Sequence, residues 1–235
     1  MTYAPENDGK KSFVLDSSSI ITIADNCFIR VLRHLSEKEG IEFIIPASVY
    51  AESVTTPLAI KRFEFSAVRI RDAVEDGYIR VAGTTPALEG RINEIESHTR
   101  DLCSCSGRRI ILLQRGEIET LALLKELGSD VLVIDERTTR MLLEEPSALG
   151  NFLRKRHRCD VKLDRDSLSY FRRGFGNIKV FRSVELISLA YEDGSFEKEV
   201  HKSRQALEAA LYAAKFAGCS VSFEEIKKFV SRVRG

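Results

Sequence analysis

The feature that most constrains this chain is a helix that runs directly into a buried strand, within residues 116–140. At about 100° per residue, Ile118, Leu121 and Leu124 fall on one arc of the helix. Residues 131–134 then form a short apolar run, which is typical of a parallel strand buried on both faces. The segment therefore predicts an α/β fold.

Two carboxylates in this segment point to a site. Asp135 directly follows the strand, where open α/β sheets bind their ligands. Glu117 falls on the apolar arc of the helix, whereas Glu119 lies on the opposite arc. Structural explanations exist for both, because Glu117 complements the helix dipole in the first turn and Asp135 can cap the next helix. Recurrence of the pattern elsewhere in the chain favours a functional role.

The end of the first predicted strand repeats the pattern. Residues 13–15 are apolar and lead directly into Asp16. Three serines beginning at Ser17 can cap the following helix, so Asp16 is not needed for that purpose. Glu52 lies on the helix after the second predicted strand and is turned towards the same sheet edge. Four acids from separate elements are thus expected at one edge of the sheet: Asp16, Glu52, Glu117 and Asp135.

Length and composition bound the domain organisation. With 235 residues, 43% of them hydrophobic, the chain can build one sizeable core. We expect a disordered tail over residues 1–11, an α/β domain over residues 12–193 and a carboxy-terminal helical extension over residues 194–235. The domain is predicted to be a three-layer α/β/α fold around a five-stranded parallel sheet. Its predicted strands lie at residues 13–15, 43–45, 78–82, 131–134 and 178–181.

Charge and hydropathy exclude some classes of protein. The 36 basic and 35 acidic side chains leave a net charge of +1, so any nucleic-acid binding must come from local asymmetry. No stretch approaches the roughly 20 apolar residues of a membrane span. The first residues also lack the apolar core of a signal peptide. We therefore expect a cytoplasmic protein without membrane contact.

The five cysteines include no C-x-x-C pair, so the sequence indicates neither a disulfide framework nor a zinc ribbon. A zinc site formed by Cys103, Cys105, His157 and Cys159 is conceivable. Isolated buried or surface thiols are the favoured expectation.

A cluster of four carboxylates requires neutralisation, because like charges at short range repel. Oxygen ligands without His or Cys select Mg²⁺ or Mn²⁺. Such ions lower the pKa of an attacking water and stabilise the leaving oxygen of a phosphodiester. The predicted reaction class is metal-assisted phosphodiester hydrolysis.

A basic segment within residues 151–175 is interleaved with aromatic side chains. A charge run most often forms a solvated face, but this mixture also fits phosphate contacts and base stacking. The residues expected to bind nucleic acid are Arg154, Lys155, Arg156 and Arg158.

These motifs resemble those of the PIN domain nucleases, a family with archaeal and bacterial ribonucleases. The similar motifs are Val14-Leu-Asp16-Ser-Ser, Ile45-Pro-x-x-Val49-x-x-Glu52, Gly116-Glu-Ile-Glu-Thr-Leu-Ala and Val133-Ile-Asp135-Glu-Arg137, within residues 13–191. The resemblance implies Mg²⁺- or Mn²⁺-dependent ribonuclease activity, with the four acids as metal ligands and with Ser17 and Arg137 beside the RNA. Glu119 and Glu136 add acids next to the motif positions, so either can join the site.

The resemblance also bears on partners. Some family members are toxins neutralised by an antitoxin, but extra material at residues 84–115, 146–176 and 195–235 distinguishes this chain from the compact toxins. The sequence supports no protein partner. A homodimer is expected through residues 194–235, whose Ala-rich helical face can cap the domain or join two subunits.

Three alternatives remain open at this stage. One is an RNA-binding module that keeps the fold with little catalysis. Another is a phosphoryl-transfer enzyme with Asp16 as nucleophile, although Ser18 replaces the usual second Asp and no Gly-rich phosphate loop is present. The last is a structural or regulatory protein that acts through its carboxy-terminal helices. Metal-dependent turnover of RNA separates ribonuclease activity from all three.

Overall fold

The structure, a computed structural model, describes residues 11–233. Its first part runs β1 (Lys11–Leu15), α1 (Ser17–Asp25), α2 (Ile29–Glu39), β2 (Ile41–Ile45), α3 (Ala47–Tyr50) with a π-helical continuation (Ala51–Thr55), a 3-10 turn (Pro57–Ala59), α4 (Glu64–Glu75) and β3 (Ile79–Val81). The middle part runs α5 (Pro86–Arg100), β4 (Cys103–Cys105), β5 (Arg108–Arg109), α6 (Arg115–Leu127), β6 (Val131–Val133), α7 (Arg137–Glu144), α8 (Pro146–His157), β7 (Val161–Leu163) and α9 (Arg165–Phe175). The last part runs β8 (Lys179–Phe181), α10 (Ser183–Asp193), a 3-10 turn (Ser195–Lys198), α11 (Arg204–Ala217) and α12 (Phe223–Arg232).

A five-stranded parallel sheet forms the centre of the described chain, in the order β3-β2-β1-β6-β8. Leu15 at the end of β1 lies opposite Val133 at the end of β6. The predicted α/β class and the predicted five-stranded parallel sheet are confirmed. The predicted strand segments match all five strands to within two residues at each end, and β1 begins at Lys11, the last residue of the predicted tail. The rest of the predicted tail, residues 1–10, lies outside the described residues.

Helices cover both faces of this sheet, because its central strands are apolar on both sides. Leu15 and Val133 join a core with residues of α1, α2, α4, α10, α11 and α12. Val14, Leu132 and Ile134 join a second core with residues of α5, α6, α7, α8 and α9. Alternate residues of one strand therefore belong to opposite cores, as the period of two requires.

The sequence pattern predicts one long helix from the serines after Asp16 to about Lys38 and another over residues 57–75, but both are interrupted. Residues 17–38 form two helices, because α1 ends at an Asn26 cap and Cys27 adopts a left-handed φ of 65°. The Asn26 side chain donates to the Thr22 carbonyl at 2.8 Å, which stabilises that end. Residues 57–75 likewise begin with a 3-10 turn, and α4 starts only at Glu64.

The sequence pattern predicts a helix over residues 86–115 with an interruption near residues 103–107, and a small antiparallel sheet lies at that interruption. It has the order β5-β4-β7 and joins a hairpin to the strand after α8. Cys105 on β4 forms a disulfide with Cys159, and their Cα atoms are 5.8 Å apart. This finding corrects the expectation of isolated thiols at these two positions. It also leaves no set of free ligands for the conceivable zinc site.

The carboxy-terminal helices pack against the same core as the sheet. Ala210 and Ala214 of α11 are buried there, together with Ile226 and Val230 of α12. The Ala-rich face therefore caps the domain, which was one of its two expected roles. Within residues 11–233, no helix combines the length and apolar character that crossing a membrane requires.

Removal of the disulfide should lower stability. The bond joins residues 54 positions apart, and a native disulfide typically contributes about 2–4 kcal/mol by restricting the unfolded chain. We expect Cys159→Ser to lower the melting temperature by several degrees. Cys27→Ser is the matched control, because Cys27 is an exposed free thiol. Equal melting temperatures for Cys159→Ser and wild type under oxidising conditions would contradict a cross-link.

Candidate functional site

Asp16 caps a helix with one carboxylate oxygen, and its other carboxylate oxygen has no hydrogen-bond partner in the described chain. Its Oδ2 accepts from Ser18 N at 3.0 Å and from Ser18 Oγ at 2.7 Å, so Asp16 itself caps α1 and the serines do not replace it. Its Oδ1 is buried and has no hydrogen-bond partner among residues 11–233. Burial raises the pKa of Asp16 to about 6, the Ser18 hydrogen bonds oppose this shift, and the charge of Glu52 adds to it.

Glu117 is held at the first turn of α6, with only 7% of its surface exposed. Its Oε2 accepts from Gln114 N at 2.6 Å in a capping box, and its Oε1 accepts from Thr139 Oγ1. Burial raises its pKa to about 7, the hydrogen bonds oppose the shift, and the charges of Asp16 and Glu136 increase it. Glu117 is therefore electrostatically coupled to two other carboxylates.

Glu119, the neighbouring acid, is engaged elsewhere. Its carboxylate pairs with Arg115 and accepts from Ser48 N at 3.2 Å. The helical periodicity favoured Glu117 over Glu119, and the burial of Glu117 agrees with that preference.

Glu52 leans over the start of α6 from the π-helical segment that follows α3. A Cβ atom placed on Gly116 would lie 2.8 Å from both carboxylate oxygens of Glu52, so the glycine makes room for this acid. Glu52 is exposed and forms no ion pair within the described chain. It is therefore the most adjustable carboxylate near Asp16.

Asp135, the fourth acid of the expected cluster, binds the start of another helix through both of its carboxylate oxygens. Its Oδ1 accepts from Ser183 N and its Oδ2 from Ser183 Oγ, both at 2.8 Å. Burial raises its pKa, and hydrogen bonds from Ser183, Cys219 and Thr22 oppose the shift. Asp135 thus anchors the start of α10, on the side of the sheet opposite α6. Nor does it cap α7, because that role belongs to Glu136, which accepts from Thr139 N at 2.7 Å.

Strand register explains the divergence of the two aspartates. Leu15 and Val133 are partners and face the same core. Asp16 is one residue beyond Leu15 and so points to the other face, whereas Asp135 is two residues beyond Val133 and returns to the first face. The charge of Glu136, the residue after Asp135, contributes to the raised pKa of Glu117.

The carboxylate oxygens near Asp16 are of the chemical type that binds a metal ion, although they are not arranged around one position. Among residues 11–233, no group of three or more His, Cys, Asp or Glu side chains is arranged to hold one. Asp16 nevertheless offers a buried oxygen without a partner, and its neighbours Glu52 and Glu117 supply only oxygen. Oxygen-only ligands fit a hard divalent cation. Adjustment of the exposed Glu52 would be needed to complete such a site.

A cleft of about 170 Å³ brings acidic and basic groups together. Glu117 and Glu136 line it from α6 and the start of α7, and Arg156 and His157 line it from the end of α8. Arg156 donates to Thr138 Oγ1 at 3.2 Å, which holds its guanidinium at the cleft. The remaining lining residues are Ile110, Ile111, Leu112, Gln114, Thr138 and Leu153. No sequence pattern predicts this cleft, and only the extra acid at position 136 pointed to one of its lining residues.

The predicted nucleic-acid residues lie on exposed surface around this region. Arg154, Lys155 and Arg156 form the last turn of α8, and Arg158 is its left-handed cap with a φ of 53°. Of these, Arg156 lines the cleft, while Arg154 donates to Asn151 Oδ1 at 2.7 Å.

The other two predicted contact residues lie at helix starts. Arg137 at the start of α7 is exposed and stacks over Phe152, with 4.6 Å between its guanidinium carbon and the ring centroid. Ser17 is half-buried at the start of α1. Ser17 therefore lies next to Asp16.

Comparison of the chain with known protein families, curated proteins and solved structures found no match. The resemblance to PIN domain nucleases therefore depends on the sequence motifs alone. Site geometry must support any functional proposal.

Asp135→Ala should destabilise the protein. The change leaves Ser183 N–H and the buried Ser183 hydroxyl without their acceptor, and each unsatisfied buried group costs about 1–3 kcal/mol. We expect a lower free energy of unfolding in chemical denaturation. Asp130→Ala, which removes an exposed ion pair with Lys179, is the control and should change it by less than about 1 kcal/mol. A more stable Asp135→Ala variant would show that repulsion, and not capping, dominates at this position.

Stability should fall as pH rises from about 4 to about 7, because the folded chain binds protons at Glu117 and Asp16 more tightly than the unfolded chain. The stabilisation that comes from this tighter proton binding is fully present below the pKa values of the unfolded chain. It is lost as the pH rises through the raised pKa values of the folded chain. The effect of Glu117 should be on the order of 2 kcal/mol. Denaturation curves across this range should show a smaller loss for Glu117→Gln than for Glu119→Gln. Identical pH dependence in both variants would contradict a perturbed Glu117.

Proposed function

We propose that the protein is a metal-dependent ribonuclease of the PIN type that hydrolyses RNA at the cleft beside Glu117. One observation carries this proposal: the cleft is lined by two carboxylates on one side and by Arg156 and His157 on the other. Acids that suit a cation next to bases that suit phosphate are what phosphodiester hydrolysis requires. The four motifs in chain order provide separate support.

Asp16, Glu52 and Glu117 would hold Mg²⁺ or Mn²⁺, with Glu136 as the neighbouring acid. When bound, such a cation would lower the pKa of an attacking water and neutralise charge on the phosphate. Asp135 is excluded from this set because both of its oxygens accept from Ser183. The ligand set proposed here therefore differs from the one that the motifs alone implied.

The raised pKa values give the acids a second role. With a pKa of about 7, Glu117 binds a proton over much of the neutral range, and Asp16 does so below about pH 6. Proton release from these carboxyls would accompany cation binding, so the occupancy of the site should increase with pH. The exposed basic end of α8 would hold the RNA backbone through phosphate contacts.

An RNA-binding module without catalysis is the second candidate. It is favoured by the fact that, in the described chain, the carboxylates are not assembled into a group that could hold a metal ion. It shares the basic surface at α8 with the first proposal. The two candidates differ only in turnover.

Cleavage should require the acids and a divalent ion. Single-stranded RNA incubated with Mn²⁺ should yield products with a 5′ phosphate, because water and not the ribose 2′ hydroxyl is the nucleophile. Chelator, Asp16→Asn and Glu117→Gln should each reduce the rate by on the order of a hundredfold, the scale of losing one charged group from an organised site. Glu119→Gln should retain activity, since Glu119 pairs with Arg115.

Gly116→Ala offers a finer test on the same helix. The added methyl group should displace the flexible end of Glu52 while leaving the fold intact. We expect reduced cleavage at low Mn²⁺ with partial recovery at high Mn²⁺, at an unchanged melting temperature. RNA that binds but is never cleaved, with any divalent ion tried, would leave the binding module as the function.

A further inference from the structure

A second cleft lies on the opposite side of α7, between that helix and the carboxy-terminal helices. Its volume is about 510 Å³, which falls within the roughly 300–1,000 Å³ of small-molecule sites. Its walls come from α7, from Arg182 before α10, and from residues 215–225 at the junction of α11 and α12. The acids discussed above do not line it.

Four cations line this cleft, and two of them have no acidic partner. Arg182 is buried and bound to Glu185 and Glu225, and Arg140 is paired with Glu144. Arg137 and Lys215, in contrast, form no ion pair within residues 11–233. Three glutamates also line the cleft, namely Glu144, Glu145 and Glu225, and two of them are the partners of Arg140 and Arg182. The charge available for an anionic ligand therefore comes from Arg137 and Lys215.

The arginines are also held in place with donor capacity to spare. Arg140 Nη1 and Arg182 Nη1 both donate to the Ser220 carbonyl, at 3.1 Å and 3.0 Å. This shared contact fixes the two guanidinium groups against the loop before α12. Arg140 Nε is buried and has no hydrogen-bond partner in the described part of the chain. Guanidinium groups held in place in this way suit a phosphate group.

An exposed aromatic ring forms one wall of the same cleft. Phe223 is 51% exposed and lines the cleft, with Lys215 Nζ 4.6 Å from its ring centroid. Tyr212 and Phe216 support it, with ring centroids 5.9 Å and 6.5 Å away. A half-exposed ring that is braced by other aromatic side chains is suited to base stacking. Glu145, also at the cleft, can accept hydrogen bonds from ribose hydroxyls or an exocyclic amine.

We propose that this cleft binds a nucleotide, with the phosphate at Arg137, Arg140 and Lys215 and the base against Phe223. The nucleotide is either free or the terminal residue of an RNA strand, and both present the same phosphate and base. Charge alone would select any anion, but the adjacent aromatic wall selects one that carries a flat ring. The site is independent of the proposed ribonuclease activity.

Calorimetric titration of the full-length protein with AMP tests this site. We expect saturable binding at one site per chain, and inorganic phosphate should bind more weakly because it cannot stack. Lys215→Ala and Phe223→Ala should each weaken AMP binding by about tenfold, which corresponds to about 1.4 kcal/mol. Lys227→Ala and Phe65→Ala are matched controls, since neither residue lines the cleft and Phe65 is an exposed ring outside it.

A second variant and a folding check keep the proposal testable if one of these variants unfolds. Arg137→Ala provides a second charge removal at an exposed position, and thermal melts identify variants that fold normally. A short oligoadenylate with and without its terminal phosphate distinguishes a free nucleotide from an RNA end. Binding of AMP no tighter than that of phosphate, or equal loss in the controls, would overturn the proposal. Binding of the phosphorylated oligoadenylate alone would assign the cleft to an RNA end.

Discussion

The burial of two strand-end carboxylates is the constraint on which the rest of the structure depends. Asp16 and Asp135 are 2% and 1% exposed, and a buried carboxylate costs several kcal/mol unless hydrogen bonds compensate. Each is met by the start of a helix, through Ser18 for α1 and Ser183 for α10. The two helices are thereby fixed to the carboxyl end of the sheet. Both helices belong to the layer that packs on Leu15 and Val133, so the two aspartates fix that one layer to the central strands β1 and β6.

Much of this arrangement could be predicted from the sequence because it depends on local periodicity. Apolar runs bounded by turns identified the five strands of the main sheet, and the helical wheel singled out Glu117. The orientation of Asp135 could also be predicted from the sequence. Counting residues from the apolar partners Leu15 and Val133 places Asp16 and Asp135 on opposite faces. The motif comparison concealed this difference, because it treats strand-end acids as equivalent.

Features that combine distant segments of the chain could not be predicted from local periodicity. The cleft beside Glu117 combines residues 110–114, 117, 136–138, 153 and 156–157, and no periodicity links these segments. The pairing of Cys105 with Cys159 depends on the small sheet that β7 completes, and nothing near either cysteine announces it. The disulfide closes a ring of chain that contains α6, β6, α7 and all of α8. Glu117, Glu136 and Arg156 all lie within that ring, so the walls of the cleft are covalently confined.

Helix α7 separates the two clefts, with Thr138 lining one and Arg140 and Met141 lining the other. It is only eight residues long, so both clefts depend on the position of a single short element. If occupancy of one cleft shifts this helix, the affinity of the other changes by some factor. Thermodynamic linkage then requires the effect to be reciprocal, with the same coupling free energy in both directions. The shared wall therefore gives two chemically distinct clefts a physical means of allosteric communication.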